Sequence, residues 1–338
     1  MNTAVSPASR LSVAPMMAWT DRHCRYFHRL MSKQALLYTE MVTAPALVLG
    51  GALRLLDFNP EEHPVALQLG GSDPEQLGKA TAMGAAHGYD EINLNLGCPS
   101  DRVQSGSFGA VLMTELDVVQ ACLEQMLGSS DSEVTVKCRT GVDDQFAQET
   151  LPAFLKMVQS TGVQRVTIHA RKAWLKGLSP KENRDIPPLD YPLVLRMKQE
   201  FPSLHLSLNG GVNSLAAAQD HLNAGLDGVM IGRAAYQNPY DILARVDCDV
   251  FKGAAAPNAE NIADQMIPYI EAHLQQGGRL HQITRHMFGL FAGQTGARHW
   301  RRRLSELGGQ HGTSLADYRL LLDEMRVILG QQQDLEIG

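Results

Sequence analysis

Cys98 closes the stretch Glu91-Ile92-Asn93-Leu94-Asn95-Leu96-Gly97-Cys98-Pro99-Ser100, where an apolar-rich run ends in Asn95 and a Gly, a Cys and a Pro follow at once. This pattern predicts a strand opening into a constrained loop that presents a thiol. Pro99 biases Cys98 toward extended backbone, and Gly97 allows close backbone approach to a ligand. A lone cysteine is more often a small buried hydrophobe. Company reverses that reading, because almost every other predicted strand also ends in polar or charged residues: Glu40, Gln68, Lys137, His169, Asn209-Gly210-Gly211 and Gly232-Arg233, with Pro15-Met16-Met17 after the first.

Each of these has a chemistry. The loops Asn209–Gly211 and Gly232-Arg233 offer backbone N–H groups to a phosphate, with Arg233 able to add forked charge-assisted bonds. A lysine such as Lys137, deep in an apolar run, is costly to bury unless it meets an anion or strong acceptor. It can place positive charge beside a flavin's pyrimidine ring. His169 can donate to a phosphate or ring oxygen, and Gln68 offers an amide to the edge of a planar heterocycle. Jointly they favour a bound phosphorylated cofactor. A thiol is protonated at neutral pH, so Cys98 suits a proton donor. No His with an orienting acid stands at a recognisable spacing, which disfavours a protease-type thiolate nucleophile.

The elements that must position these groups are eight short aliphatic or β-branched runs: Leu11–Ala14, Leu36–Glu40, Val65–Leu69, Glu91–Asn95, Val134–Cys138, Arg165–His169, His205–Asn209 and Asp227–Ile231. Most are read as lacking alternation, as in strands of a parallel sheet buried on both faces. Helical segments lie between them, one opened by Asp73-Pro74-Glu75, others over Thr150–Ser160 and Ser214–Ala224 with Ser214 as N-cap. An open doubly wound sheet shares this order but gathers ligands at one switch point. Only a closed ring brings so many strand C-termini around one centre, so an α/β fold of the (β/α)8 TIM-barrel type is expected. Lys252–Asn258 reads as a linker, and no strand signal follows. The expected organisation is a catalytic barrel over residues 1–250 and a small all-helical domain over 258–338. Residues 1–9 and 331–338 carry no motif, and both ends are expected to be mobile.

Composition narrows the function classes. No apolar run approaches the roughly 18 residues of a membrane span, and residues 1–10 lack the basic head and apolar core of a secretory signal. Five cysteines (24, 98, 122, 138, 248) form no CxxC pair, which points to a reducing, cytoplasmic compartment and to no structural metal. Cys24, Cys122, Cys138 and Cys248 are read as packing residues. The net charge of −6 predicts no polyanionic partner by itself, yet residues 279–303 hold six Arg and no acid, and residues 171–184 hold five basic residues against Glu182. Two local basic segments fit an anionic ligand at one face.

At this point the chain resembles the tRNA-dihydrouridine synthases. The residues that carry the likeness are Ala14-Pro15-Met16, Val65-Ala66-Leu67-Gln68, Asn93-Leu94-Asn95-Leu96-Gly97-Cys98-Pro99, Val136-Lys137-Cys138-Arg139, Ile168-His169-Ala170-Arg171, Asn209-Gly210-Gly211 and Gly232-Arg233. It covers about residues 10–330. Glu62–Leu69, His169–Trp174 and Leu178–Arg184 are similar to the bacterial A-type branch. The resemblance implies FMN reduced by NADPH, hydride transfer to C6 of a D-loop uracil in tRNA, and proton delivery to C5 from Cys98. It implies that Pro15, Met16 and Met17 line the flavin, that Gln68, Lys137 and His169 bond it, and that Asn209, Gly210, Gly211, Gly232 and Arg233 hold its phosphate. Asn95 and Arg184 would read the uracil edge, with Lys181, Arg298, Arg301 and Arg302 on tRNA phosphates. The branch implies uridines 20 and 20a, and a monomer is expected. Two rivals stand beside this reading: a small-molecule FMN dehydrogenase of the dihydroorotate type, which needs neither the Arg cluster nor the helical tail, and a catalytically idle RNA-binding barrel, which needs neither Cys98 nor Lys137 nor His169.

Overall fold

The computed structural model describes residues 5–100 and 108–337, with side chains described to residue 331. Eight parallel strands close a barrel in sequence order: β1 (Leu11–Val13), β2 (Leu36–Thr43), β3 (Val65–Gly70), β4 (Glu91–Leu96), β5 (Glu133–Arg139), β6 (Arg165–His169), β7 (His205–Asn209) and β8 (Gly228–Ile231). The expected fold class is borne out. The crossover helices begin where side chains can satisfy their free amides: Asp73 accepts from Gln76 N at 2.8 Å ahead of Pro74–Ala86, and Ser214 from Ala217 N at 3.1 Å ahead of Leu215–Asn223.

Burial on both faces holds for β3, β4 and β6 in full, but the strands do alternate. In β4 to β7 the apolar set (Ile92, Leu94, Leu96; Val134, Val136; Val166, Ile168; Leu206, Leu208) is in register across the sheet, and so is the polar set (Glu91, Asn93, Asn95; Thr135, Lys137; Thr167, His169; Ser207, Asn209). Parallel partners share a face, so the polar residues form one surface of the barrel wall and the apolar residues the other. On the side of β8, β1, β2 and β3 the inner face is mostly apolar, with Met230, Ala14, Leu36, Tyr38 and Ala66 packed as one buried cluster, and Ser12 and Gln68 share that face by register. The absence of alternation expected from the sequence is therefore corrected: the polar residues face the barrel interior, where Asn95, Gln68, Asn93, Thr135 and Glu91 bond in a chain.

Near the N-terminal ends of the strands, fully buried Arg165 bonds both Glu133, at 3.0 Å, and Glu91, and Tyr38 donates to Glu91 at 2.5 Å. Burial, reinforced by Glu133, raises the Glu91 carboxyl against the opposing pull of Arg165. Pro7–Arg10 forms a 3-10 turn in which buried Ser9 bonds His205 Nε2 at 3.0 Å. The expectation of a mobile segment over 1–9 is thus corrected for residues 7–9; residues 1–4 and 338 lie outside the described residues. At the other end, helix Leu315–Ile337 runs through most of the stretch 331–338 expected to be mobile.

Contacts divide the chain into Met1–Ala18 with Ala35–Gly232, which contains the barrel strands, and Trp19–Gln34 with Arg233–Gly338. Within the second unit, Asp21 bonds Arg285 at 2.5 Å and His286 at 3.0 Å, while Asp247 accepts from Ser32 Oγ (2.5 Å), Lys33 N (2.6 Å) and Gln34 N (3.2 Å). These two carboxylates fasten the early helix Arg22–Met31 to C-terminal elements, which a linear boundary at 250–258 does not anticipate. The rest of the unit is helical, including Ala259–Gln265, Ile267–Gln275, Ala297–Gly309 and Leu315–Ile337. Among the described residues no helix is long and apolar enough to cross a membrane.

Candidate active site

Strand register brings the sequence-selected polar residues into neighbouring positions: Asn95 is paired with Lys137, and His169 with Asn209. A hydrogen-bond chain links several of them. Asn95 Oδ1 accepts from the amides of Gly97 (3.1 Å) and Cys98 (3.0 Å), and Asn95 Nδ2 donates to Gln68 Oε1 at 2.7 Å. Gln68 Nε2 donates to Asn93 Oδ1 at 2.8 Å, and Asn93 Nδ2 to Thr135 Oγ1 at 2.8 Å. Thr135 donates to Glu91. The amides of Gln68 and Asn95 are thus each partly committed inside the barrel. Among the described residues, each has one side-chain N–H, and Gln68 one lone pair, left over from these bonds for a ligand.

Cys98 is partly exposed, with Sγ 3.5 Å from Ser100 Oγ. Cys24, Cys122 and Cys138 are buried, as packing residues should be, but Cys248 is exposed, which corrects its reading. Lys137 Nζ has no hydrogen-bond or ion-pair partner among the described residues. Burial, then the neighbouring Arg139, lowers its ammonium to about 8. His169 is 8% exposed, its Nδ1 lacks a partner among the described residues, and burial followed by Arg139 and Lys137 pushes its pKa well below the usual 6.5. It stays neutral at physiological pH and has a ring nitrogen to spare. No carboxylate bonds Lys137 or Arg139 among the described residues, so this part of the barrel is cationic.

After β7, Gly210 (φ +102°) and Gly211 (φ +74°) adopt conformations that L side chains rarely take. A Cβ on Gly211 would lie 2.4 Å from Tyr191 Oη, and one on Gly210 3.1 Å from His169 Nε2. Asn209 Nδ2 donates to Met230 O at 2.8 Å, tying β7 to β8. A Cβ on Gly232 would be 3.8 Å from Met16 Sδ, which brings the β1 and β8 loops together. Pro15 and Met16 are half-buried and Met17 is exposed. Lys181 and Arg184 are exposed at the short helix Glu182–Asp185 after β6.

Arg233, Arg298, Arg301 and Arg302 belong to the second unit. On helix Ala297–Gly309, Arg298, Arg301 and Arg302 are exposed, whereas Arg303 is taken by Glu306 and Glu324 at 2.9 Å each. The cluster is acid-free in sequence but not in space, because the last helix supplies Glu324.

Sequence reasoning gave no role to Arg139 or Asn183. Arg139 is 4% exposed and Asn183 fully buried, and both bond loop backbone in this region. For Arg139 the signal was its place in the Val136–Arg139 motif. For Asn183 it was only an uncharged residue inside a basic loop.

The fold and these strand-end groups define a (β/α)8-barrel enzyme. An old yellow enzyme homologue from Zymomonas mobilis matches it with a TM-score of 0.52 at 11% identity, covering 74% of this chain and 90% of that one, and speaks for the fold alone. The chain belongs to the dihydrouridine synthase family, whose model matches residues 12–324. It is 54% identical over 323 residues to a tRNA-dihydrouridine(20/20a) synthase of Shewanella oneidensis, covering 95% of each chain. It is 57% identical over 309 residues to the protein of that name from Vibrio parahaemolyticus (90% of this chain, 94% of that one), and 53% identical over 327 residues to the one from Escherichia coli O6:H1 (96% and 97%).

Proposed function

We propose that this protein is a flavin-dependent tRNA-dihydrouridine synthase that reduces the C5=C6 bond of D-loop uridines 20 and 20a, with FMN as cofactor and NADPH as reductant. Family membership and the names of relatives above 50% identity support the substrate. The single observation that carries the chemistry is a thiol loop held by Asn95 beside Lys137 and His169, whose Nζ and Nδ1 lack partners among the described residues.

The residues present fit a flavin mononucleotide. Lys137, with no anion of its own among the described residues, and neutral His169 with a free Nδ1 are the donors a flavin ring or phosphate would satisfy. Gly210 and Gly211 give the positive-φ backbone that lets a loop turn its amides toward a phosphate. Pro15, Met16 and Met17 would pack on the ring, Gln68 would bond its edge, and Asn209, Gly232 and Arg233 would complete the phosphate seat. When bound, the flavin supplies the hydride for C6 of uracil. Cys98 gives the thiol proton to C5 and recovers it from solvent, so that H⁻ and H⁺ together saturate the double bond. Asn95 fixes the thiol loop and, with Arg184, bonds the uracil edge. The target base must be extruded from folded RNA to reach this site. Lys181, Arg298, Arg301 and Arg302 would supply phosphate contacts. The reading places a monomer with its tRNA in the cytoplasm, where the five cysteines, none of them in a disulfide, stay reduced.

Cys98→Ala tests this. The variant should purify yellow and accept electrons from NADPH, yet leave uridines 20 and 20a unreduced when tRNA is mapped by mass spectrometry. Full turnover in that variant would remove Cys98 as proton donor. Free uridine reduced as fast as tRNA would favour a small-molecule dehydrogenase instead.

A further inference from the structure

We propose that Arg139 is a positioning residue that locks the thiol loop after β4 to the loop after β6, so that Cys98 and Arg184 are set as one rigid pair. The inference rests on the role of Cys98 given above. Arg139 ends β5, its backbone paired with His169 in the ladder. Its Nε donates to the carbonyl of Gly97, the residue before Cys98, at 3.0 Å. Its Nη1 donates to the carbonyls of Lys172 at 3.1 Å and Asn183 at 2.8 Å. One guanidinium therefore holds backbone from two loops that lie far apart along the chain.

Asn183 extends this clamp. Its Nδ2 donates to the carbonyls of Trp174 (2.8 Å) and Leu178 (3.1 Å), and its Oδ1 accepts from Trp174 N at 2.7 Å. The stretch from Trp174 to Leu178 is thus folded onto Asn183, and Asn183 is hung from Arg139 by its own carbonyl. Arg184 follows directly in the chain. On the other side Gly97 is held twice, its amide by Asn95 and its carbonyl by Arg139.

The contrast with Arg165 supports a dedicated role. Arg165 is buried against two carboxylates, as a structural arginine should be. Arg139 is buried against carbonyls only, with no acid bonded to it among the described residues, and burial lowers its pKa to about 10. An uncompensated buried charge is costly. It is retained where a planar fork must reach several acceptors at fixed angles, a task that the single nitrogen of lysine cannot reproduce.

The test uses the flavin-loaded enzyme and the variants Arg139→Lys, Arg139→Met and Asn183→Ala. Alkylation of Cys98 by iodoacetamide is followed by peptide mass spectrometry, with exposed Cys248 as internal reference, together with tryptic cleavage after Lys176 and Lys181. Arg139→Met, which removes all three charge-assisted bonds, and Arg139→Lys, which cannot span both loops, should each change the Cys98-to-Cys248 labelling ratio by about tenfold or more and hasten cleavage. Lysine should not restore kcat for dihydrouridine formation, while KM for NADPH stays near wild type. Asn183→Ala should also alter Cys98 labelling, although its side chain does not touch the thiol loop. Labelling and cleavage in the Arg139→Lys and Asn183→Ala proteins indistinguishable from wild type would overturn the clamp. A fully active Cys98→Ala enzyme would overturn the proton-donor reading while leaving the clamp standing.

Discussion

The side-chain oxygen of Asn95 accepts the backbone amide of Cys98 at 3.0 Å, so the thiol loop is held by the strand that precedes it. Because that oxygen faces two amide donors, the Asn95 NH2 must face Gln68. The orientation then propagates from Asn95 Nδ2 to Gln68 Oε1, Gln68 Nε2 to Asn93 Oδ1, and Asn93 Nδ2 to Thr135, whose hydroxyl donates to Glu91. Every donor points away from the thiol loop, toward a carboxylate. Each bond polarises the next.

Asn95→Asp tests that directionality. A carboxylate still accepts the Gly97 and Cys98 amides but sets an oxygen against Gln68 Oε1. Turning the Gln68 amide would relieve that contact and break its bond to Asn93. The variant should lose roughly 1–3 kcal/mol of stability in a denaturant titration, and dihydrouridine formation should fall about tenfold or more. Unchanged stability would mean that the chain is not coupled in one direction.

Lys137 predicts a pH dependence. Its folded pKa of about 8 lies below the ordinary 10.5. Between those values the unfolded chain binds the proton that the folded chain has shed, so this residue makes stability rise with pH. Its cost is full below about pH 8 and gone above 10.5. In flavin-free protein, Lys137→Met should therefore be more stable than wild type by roughly 1–3 kcal/mol near neutral pH. The gap should narrow as the pH is raised toward the ordinary lysine value, and flavin affinity should drop in the same variant. A gap independent of pH would exclude the titration of Lys137 as its source.

Arg298→Ala with Arg301→Ala removes two exposed charges that no carboxylate neutralises among the described residues. tRNA affinity should fall, and the slope of log K against log salt should become shallower by about 1 for each phosphate that is no longer neutralised. NADPH oxidation without tRNA should persist. Arg303→Ala is the contrast: its partners Glu306 and Glu324 make it structural, and thermal stability rather than the salt slope should move.

Arg165→Met leaves Glu91 and Glu133 buried without a cation. A loss of roughly 3–5 kcal/mol is expected. The double change Arg165→Met with Glu91→Gln should recover part of it by removing one stranded charge. No recovery in a thermal melt would show that packing, not charge, dominates this cluster.

Much of the site was legible because parallel strands deliver their C-terminal residues to one end of a barrel. Gln68, Asn95, Lys137, His169 and Asn209 each stand at or near the end of a strand whose bounds in the structure lie close to those of the sequence pattern. Arg139 and Asn183 were not legible as a clamp, since what they hold is backbone carbonyl, and carbonyls have no residue type. Glu324 could not be assigned to the Arg cluster, because a helix one turn longer or shorter would present another residue.

By itself the sequence determined the period of strand and helix, the thiol between a glycine and a proline, and the glycines of the β7 loop, whose positive φ no other residue type adopts without strain. Those are local properties, written in covalent geometry and side-chain chemistry. Only the tertiary structure decided that polar residues of β3, β4 and β5 form an internal hydrogen-bond chain ending on Glu91, and that residues 19–34 join the C-terminal helices through Asp21 and Asp247. It also decided that, among the described residues, Lys137 has no counter-ion while Arg303 has two. Partnership is a matter of distance, and distances between remote residues exist only after the ring has closed.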